Sequence, residues 1–251
     1  MSNEFLVEVG VDSLDSALAA ERGGAQRVEL CSGLMEGGVT PSAGLIATTR
    51  QKISIQLHVM IRPRAGDFCY SPDEFSVMQR DLLMAKQLGA DGVVFGILDL
   101  DGNVDVHKTR QLVELARSLK TTYHRAFDMS ADLRRSLEQV IETGADRILT
   151  SGGAPTAVEG AETLRDLVEL ASGRVIVMAC GGIDAGNLRA VIDQTGVREV
   201  HAGLRTAMAS PMRHRKENIS MGAVRGREYE RFMVQEDSVA RLVRAASVEP
   251  G

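Results

Sequence analysis

A short segment, His58 to Ser71, places charged side chains directly after an apolar run. The charged residues of this segment include His58, Arg62, Arg64 and Asp67. A strand buried on both faces is normally aliphatic throughout, and burying an unpaired charge is costly. These side chains therefore need partners or a ligand. Because guanidinium groups recognise carboxylates and phosphates, the segment predicts a site for a small anionic molecule.

A second polar segment, residues 124–128, extends this interpretation. It supplies His124 as a candidate acid or base, because a neutral imidazole moves protons near pH 7. Glu29 and His58 are candidates for the same role, and each could also pair with the other across adjacent strands. The candidate ligand-binding side chains are Arg62, Arg64, Asp67, Arg125 and Asp128, of which Arg62 and Arg64 would clamp the anion.

In the alternative interpretation, the same charges only hold the structure together. The arginines then pair with Asp67, Asp99 and Asp128 in a network that locks the loops. Inside the protein, Glu8, Glu29 and His58 then only fix the register of the strands. The two interpretations differ in whether one guanidinium group stays free for a ligand.

Two glycines, Gly181 and Gly182, follow a predicted strand that ends at Ala179. The loops after the last strands of a barrel commonly bind phosphate through backbone N–H groups and a helix N-terminus. We therefore expect Gly181 and Gly182 to contribute to anion binding. The alternative is that they only form a tight turn.

The chain has three cysteines, Cys31, Cys69 and Cys180. An odd number at wide spacing favours reduced thiols over a disulfide framework. Cys31 and Cys69 follow neighbouring predicted strands, and together with Met60 they form a candidate soft site of the kind that suits Cu(I). The alternative is that the buried cysteines only pack.

The elements that position these residues are predicted by a repeated pattern at residues 23–30, 89–94, 144–149 and 196–200. In each repeat a glycine ends a helix-period stretch and a short apolar strand follows. Four further strands are predicted at Phe5 to Val9, Ile53 to Ile61, Thr121 to Phe127 and Arg174 to Ala179. The total is eight strands.

Helix-like segments alternate with these strands; examples are Asp73 to Leu88, Val106 to Leu119, Leu133 to Thr143 and Val158 to Ala171. Strict alternation predicts a parallel sheet, and eight units in one chain of this length predict a (β/α)₈ TIM barrel. An open doubly wound sheet is the alternative. In a barrel, the candidate residues gather at the carboxyl ends of the strands.

The 251 residues, of which 44% are hydrophobic, are predicted to form a single domain over residues 1–251. After the eighth strand, residues 203–236 are predicted to form a long loop or arm, and residues 237–246 the last helix. The loop is either a lid over the site or an ordered arm that covers the barrel or joins two subunits.

The formal charge of −5 and the absence of a Lys/Arg run argue against nucleic acid or an anionic membrane as a partner. No apolar run approaches the length that spans a membrane, and the N-terminus shows no signal-peptide pattern. We therefore expect a cytoplasmic protein.

Several longer motifs carry a family resemblance: Arg27 to Cys31, Glu36 to Ser42, Met60 to Phe68, Phe95 to Asp105, His124 to Met129 and Ile148 to Gly152. Together they resemble the CutC family, which is named for copper homeostasis. The resemblance extends from the first strand to Arg213. It implies a cytosolic (β/α)₈ barrel, homo-oligomeric, with a role in copper handling and Cu(I) as a ligand.

The chain departs from the family pattern at two positions. Ala65 stands where many relatives have glycine, and Gly10 stands where many have cysteine. The copper site suggested for such relatives pairs that thiol with the one matching Cys31. Here Cys31 would need Cys69, Met60 or a second subunit to hold Cu(I).

Two functions therefore stand beside each other. The resemblance implies a copper homeostasis protein, with binding of Cu(I). The retained charges instead favour an enzyme acting on a small carboxylate or phosphate, with an arginine clamp and His/Glu acid–base chemistry. A scaffold whose oligomer surface is its function is a third hypothesis. Ligand hardness separates the first two, because Cu(I) prefers thiols and an anion prefers arginines.

Overall fold

The computed structural model describes residues 5–216, 218–221 and 226–247. Eight parallel strands form a closed barrel in which β1 also pairs with β8, which confirms the predicted (β/α)₈ fold and rules out the open sheet. The strands are β1 Leu6–Val11, β2 Arg27–Leu30, β3 Gln56–Met60, β4 Gly92–Phe95, β5 Lys120–Tyr123, β6 Arg147–Thr150, β7 Ile176–Ala179 and β8 Glu199–Ala202.

In the described part of the chain, eight α-helices alternate with the strands: α1 Leu14–Arg22, α2 Ala43–Lys52, α3 Pro72–Gln87, α4 Val106–Ala116, α5 Leu133–Thr143, α6 Ala161–Ala171, α7 Leu188–Thr195 and α8 Glu236–Ser247. The start of α3 shows how sequence defines such a boundary. Ser71 and Glu74 form a reciprocal capping box, and Pro72 occupies the first helical turn, where its missing N–H costs nothing. Within the described residues, no helix is long and apolar enough to cross a membrane.

The segment after β8 contains more regular structure than the sequence predicts. It includes β9, Arg205–Ala209, and β10, Glu230–Val234, which pair antiparallel outside the barrel. We call these two strands and the described residues between them the arm. Every residue of β9 is exposed, so its sequence lacks the apolar alternation from which strands are predicted.

The strand β5 ends at Tyr123, whereas the sequence predicts that it continues to Phe127. The chain then turns, with the Ala126 N–H donating to His124 Nδ1, and enters a 3₁₀-helix at Phe127–Met129. This turn places His124 and its neighbours at the barrel mouth instead of along a strand.

The aliphatic core lies between the strands and the helices, whereas part of the barrel interior is charged. Arg27 forms ion pairs with Glu8 and with Glu199, the latter at 2.6 Å, and Arg147 pairs with Glu199 at 2.7 Å. These four side chains, which we call the charged layer, are buried. Two guanidinium groups face two carboxylates, so the charges of the layer balance.

Candidate functional site

A cavity of about 560 Å³ opens at the carboxyl ends of the strands. Most strands contribute to its lining at or just beyond their ends, Leu204 lines it just before the arm, and the arm contributes Arg205 and Phe232. The candidate residues in the lining are Glu29, Met60, Arg62, His124, Arg125, Gly181 and Gly182. We call this space the mouth cavity.

His201 of β8 also lines the mouth cavity, although it is absent from the predicted site. Strand pairing sets Glu8 opposite His201, and His201 Nδ1 lies 2.7 Å from Glu8 Oε1. Burial works against the charged form of Glu8, but Arg27 and His201 hold the pKa of this carboxyl well below its usual value. Burial also opposes the imidazolium form of His201, yet Glu29 and Glu8 raise the pKa of His201.

Glu29 of β2 is 4% exposed and lies next to His201. Its Oε2 is 3.9 Å from His201 Nε2 and accepts a hydrogen bond from the Cys31 thiol at 3.5 Å, whereas its Oε1 is buried without a partner in the described structure. Burial raises the pKa of Glu29. The expected pairing of Glu29 with His58 does not form, because the nearest carboxylate to His58 is that of Glu8.

His124 lines the opposite side of the ring of strands and is 4% exposed. Its Nδ1 accepts a hydrogen bond from the Ala126 N–H at 3.1 Å, so the proton of the neutral ring lies on Nε2. Burial, reinforced by the nearby Arg62 guanidinium, lowers the pKa of His124 to about 3. His124 is therefore a neutral hydrogen-bond donor near pH 7.

His58 lies inside the barrel and outside the cavity lining, with no exposed surface. Its Nδ1 is 3.9 Å from Glu8 Oε2, and neither ring nitrogen has a hydrogen-bond partner among the described residues. Burial lowers the pKa of His58 to about 4. The structure places this predicted acid–base residue beneath the site, next to the charged layer.

Arg62 reaches the mouth cavity, but its guanidinium is bound to the protein. It donates to the backbone carbonyls of Glu36, Gly38 and Gly66 at 2.8–2.9 Å and lies over the Phe68 ring. These contacts join the loop after β2 to the loop after β3. The structure thus gives Arg62 a loop-fixing role alongside its place in the cavity wall.

Arg64 and Asp67 do not line the mouth cavity. Arg64 pairs with Asp67 at 3.0 Å and also with Glu74, and it lies over the Tyr70 ring. The structure therefore does not bring Arg62 and Arg64 together as a clamp on one anion. Arg64 is instead held by carboxylates of the protein, as in the alternative interpretation, in which the arginines pair with carboxylates and lock the loops.

Arg125 and Asp128 pair with each other at 2.7 Å. Asp128 also accepts hydrogen bonds from Thr150 Oγ1 and from the backbone N–H groups of Ser151 and Gly153, which ties the turn after β5 to the end of β6. Arg125 lines the cavity and is about half exposed, so one edge of its guanidinium faces the opening.

The unengaged donors of the cavity lie on the other side, after β7 and β8. The N–H groups of Gly181 and Gly182 make no hydrogen bond with another described residue. Both glycines have positive φ, +94° and +67°, a conformation that favours glycine and exposes consecutive N–H groups. The Arg205 side chain, at the start of the arm, also lines the cavity and donates no hydrogen bond to a described residue, although its charge partly offsets the rise that burial causes in the pKa of Asp12.

The three residues of the predicted Cu(I) site, Cys31, Met60 and Cys69, do not all lie together. Cys31 packs with Met60 and Val94 in a small apolar cluster beneath the cavity, which does not include Cys69. Cys69 is half-buried and lines a second cavity of about 780 Å³. Burial, reinforced by the Glu29 carboxylate, raises the pKa of the Cys31 thiol well above its usual value.

Sequence reasoning named Glu8 as a buried residue but missed its partners in the charged layer, and it also missed Arg205. Arg27 and Arg147 occupy the same place in two copies of the repeated helix–strand pattern, and Glu199 lies within a third copy, so the repeat itself carried a signal. Arg205 has no such signal. It is one of several arginines in a polar segment, and only the fold brings it to the cavity.

The fold is that of a (β/α)₈ barrel protein, and the mouth cavity lies at the carboxyl end of the barrel, where barrel enzymes have their active sites. The CutC family model matches residues 5–206, and the chain belongs to this family. A Mus musculus copper homeostasis protein cutC homolog is 48% identical over 221 residues, which cover 88% of this chain and 81% of the relative. A Bacteroides fragilis family protein CutC is 48% identical over 229 residues, covering 90% and 91%.

A solved structure agrees with these sequence matches. The putative copper homeostasis protein CutC from Streptococcus agalactiae superposes with a TM-score of 0.75 at 34% identity, covering 78% of this chain and 97% of that one. The predicted family resemblance is thus confirmed over most of the barrel.

Proposed function

We propose that this CutC-family barrel is an enzyme that binds a small phosphate or carboxylate metabolite in the mouth cavity and moves a proton on it. The observation that carries the proposal is one cavity that combines buried acid–base groups with donors that make no hydrogen bond to a described residue. The donors are the N–H groups of Gly181 and Gly182 and the guanidinium of Arg205. The acid–base groups are Glu29 and His124.

Anion binding follows from the placement of these donors. Consecutive N–H groups in a left-handed turn form a concave surface for an anion, and barrels commonly use the loops after strands seven and eight for phosphate. Arg205 adds a positive charge from the arm, and Arg125 adds a second one from the opposite wall. An anion seated here would lie over the strand ends.

Proton transfer follows from the environments of Glu29 and His124. Glu29 is a buried carboxyl with a raised pKa, which suits a general base working near neutral pH. His124 is a neutral imidazole that offers an N–H hydrogen bond, the form that stabilises negative charge developing on a substrate oxygen. Two groups whose environments separate their pKa values are the usual mark of an acid–base pair.

The proposal is tested by a thermal-shift and calorimetric screen of small phosphates and carboxylates against the wild type and Arg205→Ala. A ligand that binds the wild type is expected to lose roughly 10- to 100-fold in affinity in the variant, because a charge-assisted hydrogen bond contributes about 1.5–3 kcal/mol. Arg231→Ala is the matched control, since Arg231 lies on β10 of the same arm and faces Asp15. Equal loss in both variants would contradict the proposal.

Binding of Cu(I) is the second candidate, favoured by the shared cluster of Cys31 and Met60 and by the copper homeostasis names of the relatives. A thiolate and a thioether are ligands that Cu(I) prefers. Against it, the Cys31 thiol is buried and its pKa is raised, so the thiolate is disfavoured until a metal replaces the proton.

An anaerobic Cu(I) competition titration against a chromogenic chelator decides this candidate. Stoichiometric binding that is lost in Cys31→Ser and kept in Cys180→Ser would establish a copper site. Cu(I) binding that is unchanged in Cys31→Ser would rule out this copper site. Cys180 is the matched control because its thiol is also buried but packs with Leu149 and Met178 instead.

We also infer that the chain works in the cytoplasm as a homo-oligomer. The arm supports an oligomer, because it exposes Met208, Met212 and Met221 to solvent. β10 is held to α1, where the Val234 N–H donates to Ser16 Oγ at 3.2 Å, but β9 is exposed along its whole length, so packing against a second copy would cover it. Analytical ultracentrifugation of the wild type and of Met208→Ser with Met221→Ser tests this: a monomeric wild type would refute the oligomer.

A further inference from the structure

One carboxylate beneath the mouth cavity has no counter-charge held in hydrogen-bond contact. The charged layer balances itself, since Arg27 and Arg147 offset Glu8 and Glu199. Glu29 lies beside this layer and is 4% exposed. Its Oε1 is buried and has no partner in the described part of the chain.

The Cys31 thiol donates a hydrogen bond to Glu29 Oε2 at 3.5 Å, and the imidazole of His201 approaches the same oxygen from β8. The orientation of this ring is fixed, because Nδ1 lies 2.7 Å from the Glu8 carboxylate and therefore carries a proton. The other nitrogen, Nε2, faces Glu29 Oε2 at 3.9 Å, which is too long for a hydrogen bond. The two atoms thus approach each other without being joined.

The space beside Nε2 is kept open by Gly10. This residue pairs with Glu29 in the barrel register, and an ideal Cβ at position 10 would lie 3.0 Å from His201 Nε2. Because Gly10 has no side chain, the approach to Nε2 is free of protein atoms there. The side chain of His201 is 15% exposed, so the mouth cavity gives access to it.

We propose that His201 Nε2 and the Glu29 carboxylate bind a borderline divalent transition-metal ion of the Zn²⁺ or Co²⁺ class, with Glu8 as the positioning residue. The inference goes beyond the proposed function and changes one of its roles: a Glu29 that holds the ion is not free to act as the general base, whereas anion binding by Arg205 and the glycine N–H groups does not depend on the ion. Imidazole and carboxylate are the ligands that such ions prefer. A carboxylate that holds the second ring nitrogen is the usual outer partner of a metal-binding histidine.

The dimensions fit such an ion. Metal–nitrogen and metal–oxygen distances of about 2.0–2.2 Å with a tetrahedral angle separate the two ligand atoms by roughly 3.4 Å. The present 3.9 Å needs a movement of about half an ångström by the Glu29 side chain. Water from the mouth cavity would complete the coordination shell of the ion. The positive charge of the ion would balance the Glu29 carboxylate, which has no other counter-charge in hydrogen-bond contact.

The test is a Co²⁺ titration of chelator-treated protein, followed by visible absorption, with Zn²⁺ as competitor. We expect one ion per chain, with an affinity that falls at least 100-fold in Glu29→Gln and in His201→Gln. His107→Gln is the matched control, because His107 is an exposed histidine bonded to Gln111, and we expect it to bind as the wild type does. Unchanged affinity in Glu29→Gln and His201→Gln would overturn the proposal, as would loss in Cys31→Ser alone.

A measurement on the unaltered chain covers the case in which a variant does not fold. With histidine labelled in its ring nitrogens, substoichiometric Co²⁺ is expected to broaden the His201 signals before those of the other four histidines. Earlier broadening of His107 or His214 would overturn the proposal, since those residues are exposed. Failure of anion binding would leave this result untouched, so the two proposals fail separately.

Discussion

The buried imidazole of His58 gives a prediction whose size follows from the structure. His58 has no exposed surface, and burial lowers its pKa to about 4 from an ordinary value near 6.5. The folded protein therefore binds the proton more weakly than the unfolded chain does. In this situation the free energy of unfolding is highest above pH 6.5 and falls as the pH drops toward 4.

The linkage relation gives the magnitude. For these two pKa values, His58 alone removes roughly 2 kcal/mol of stability between pH 7 and pH 5. The substitution His58→Leu removes the titrating group, so this part of the pH dependence should disappear. The variant will also be less stable at pH 7 through altered packing, but that loss does not depend on pH.

Urea unfolding followed by circular dichroism at pH 7 and at pH 5 measures the difference directly. Val59→Ala is the control, since Val59 is the next buried residue of β3 and does not titrate. We expect the control to lose stability equally at both pH values and His58→Leu to show a pH difference smaller by roughly 2 kcal/mol than the wild type. The same pH difference in His58→Leu and in the wild type would refute the reasoning.

Two further predictions concern other buried groups. Arg27→Met leaves the buried Glu8 carboxylate without its arginine partner and should lower the free energy of unfolding by about 3–5 kcal/mol. Arg174→Met, at an exposed ion pair, should lower it far less, and urea unfolding at pH 7 compares the two variants. Iodoacetamide should modify the half-buried Cys69 at least about ten times faster than Cys31, because the Cys31 thiol is buried and its pKa is raised. Peptide mass spectrometry measures the two rates, and equal rates would contradict the described burial.

Much of the fold was predictable because its signals are local. The glycine that ends a helix and the apolar strand that follows recur through the chain, and a closed barrel is the arrangement that buries eight such units. The boundaries of α5 at Leu133–Thr143 match the prediction, since an amphipathic pattern runs between Asp132 and the left-handed Gly144. Residues 203–236 were predicted as a long loop or arm, but not its two strands, because exposed strands lack the apolar alternation.

The candidate site was less predictable, because its composition depends on register and on contacts between distant segments. The sequence shows Arg62, Arg64 and Arg125 as a cationic group, but their carbonyl and carboxylate partners lie in loops whose positions only the fold defines. His201 and Arg205 come from the last strand and the arm, and the closure of the barrel brings them next to β1 and β2. Residue type therefore indicated anion binding and acid–base chemistry, whereas the topology determines which of these residues line the cavity.

The central claim, that the mouth cavity binds an anion through the loop after β7, is tested most directly by the N–H signals of Gly181 and Gly182. Labelling with ¹⁵N-glycine makes these two of 25 glycine signals, and the probe is inorganic phosphate titrated at constant ionic strength. We expect both signals to shift with a common saturating dependence on phosphate, while the distant Gly196 after α7 does not move. Signals of Gly181 and Gly182 that stay in place, or that move no more than Gly196, would contradict the account.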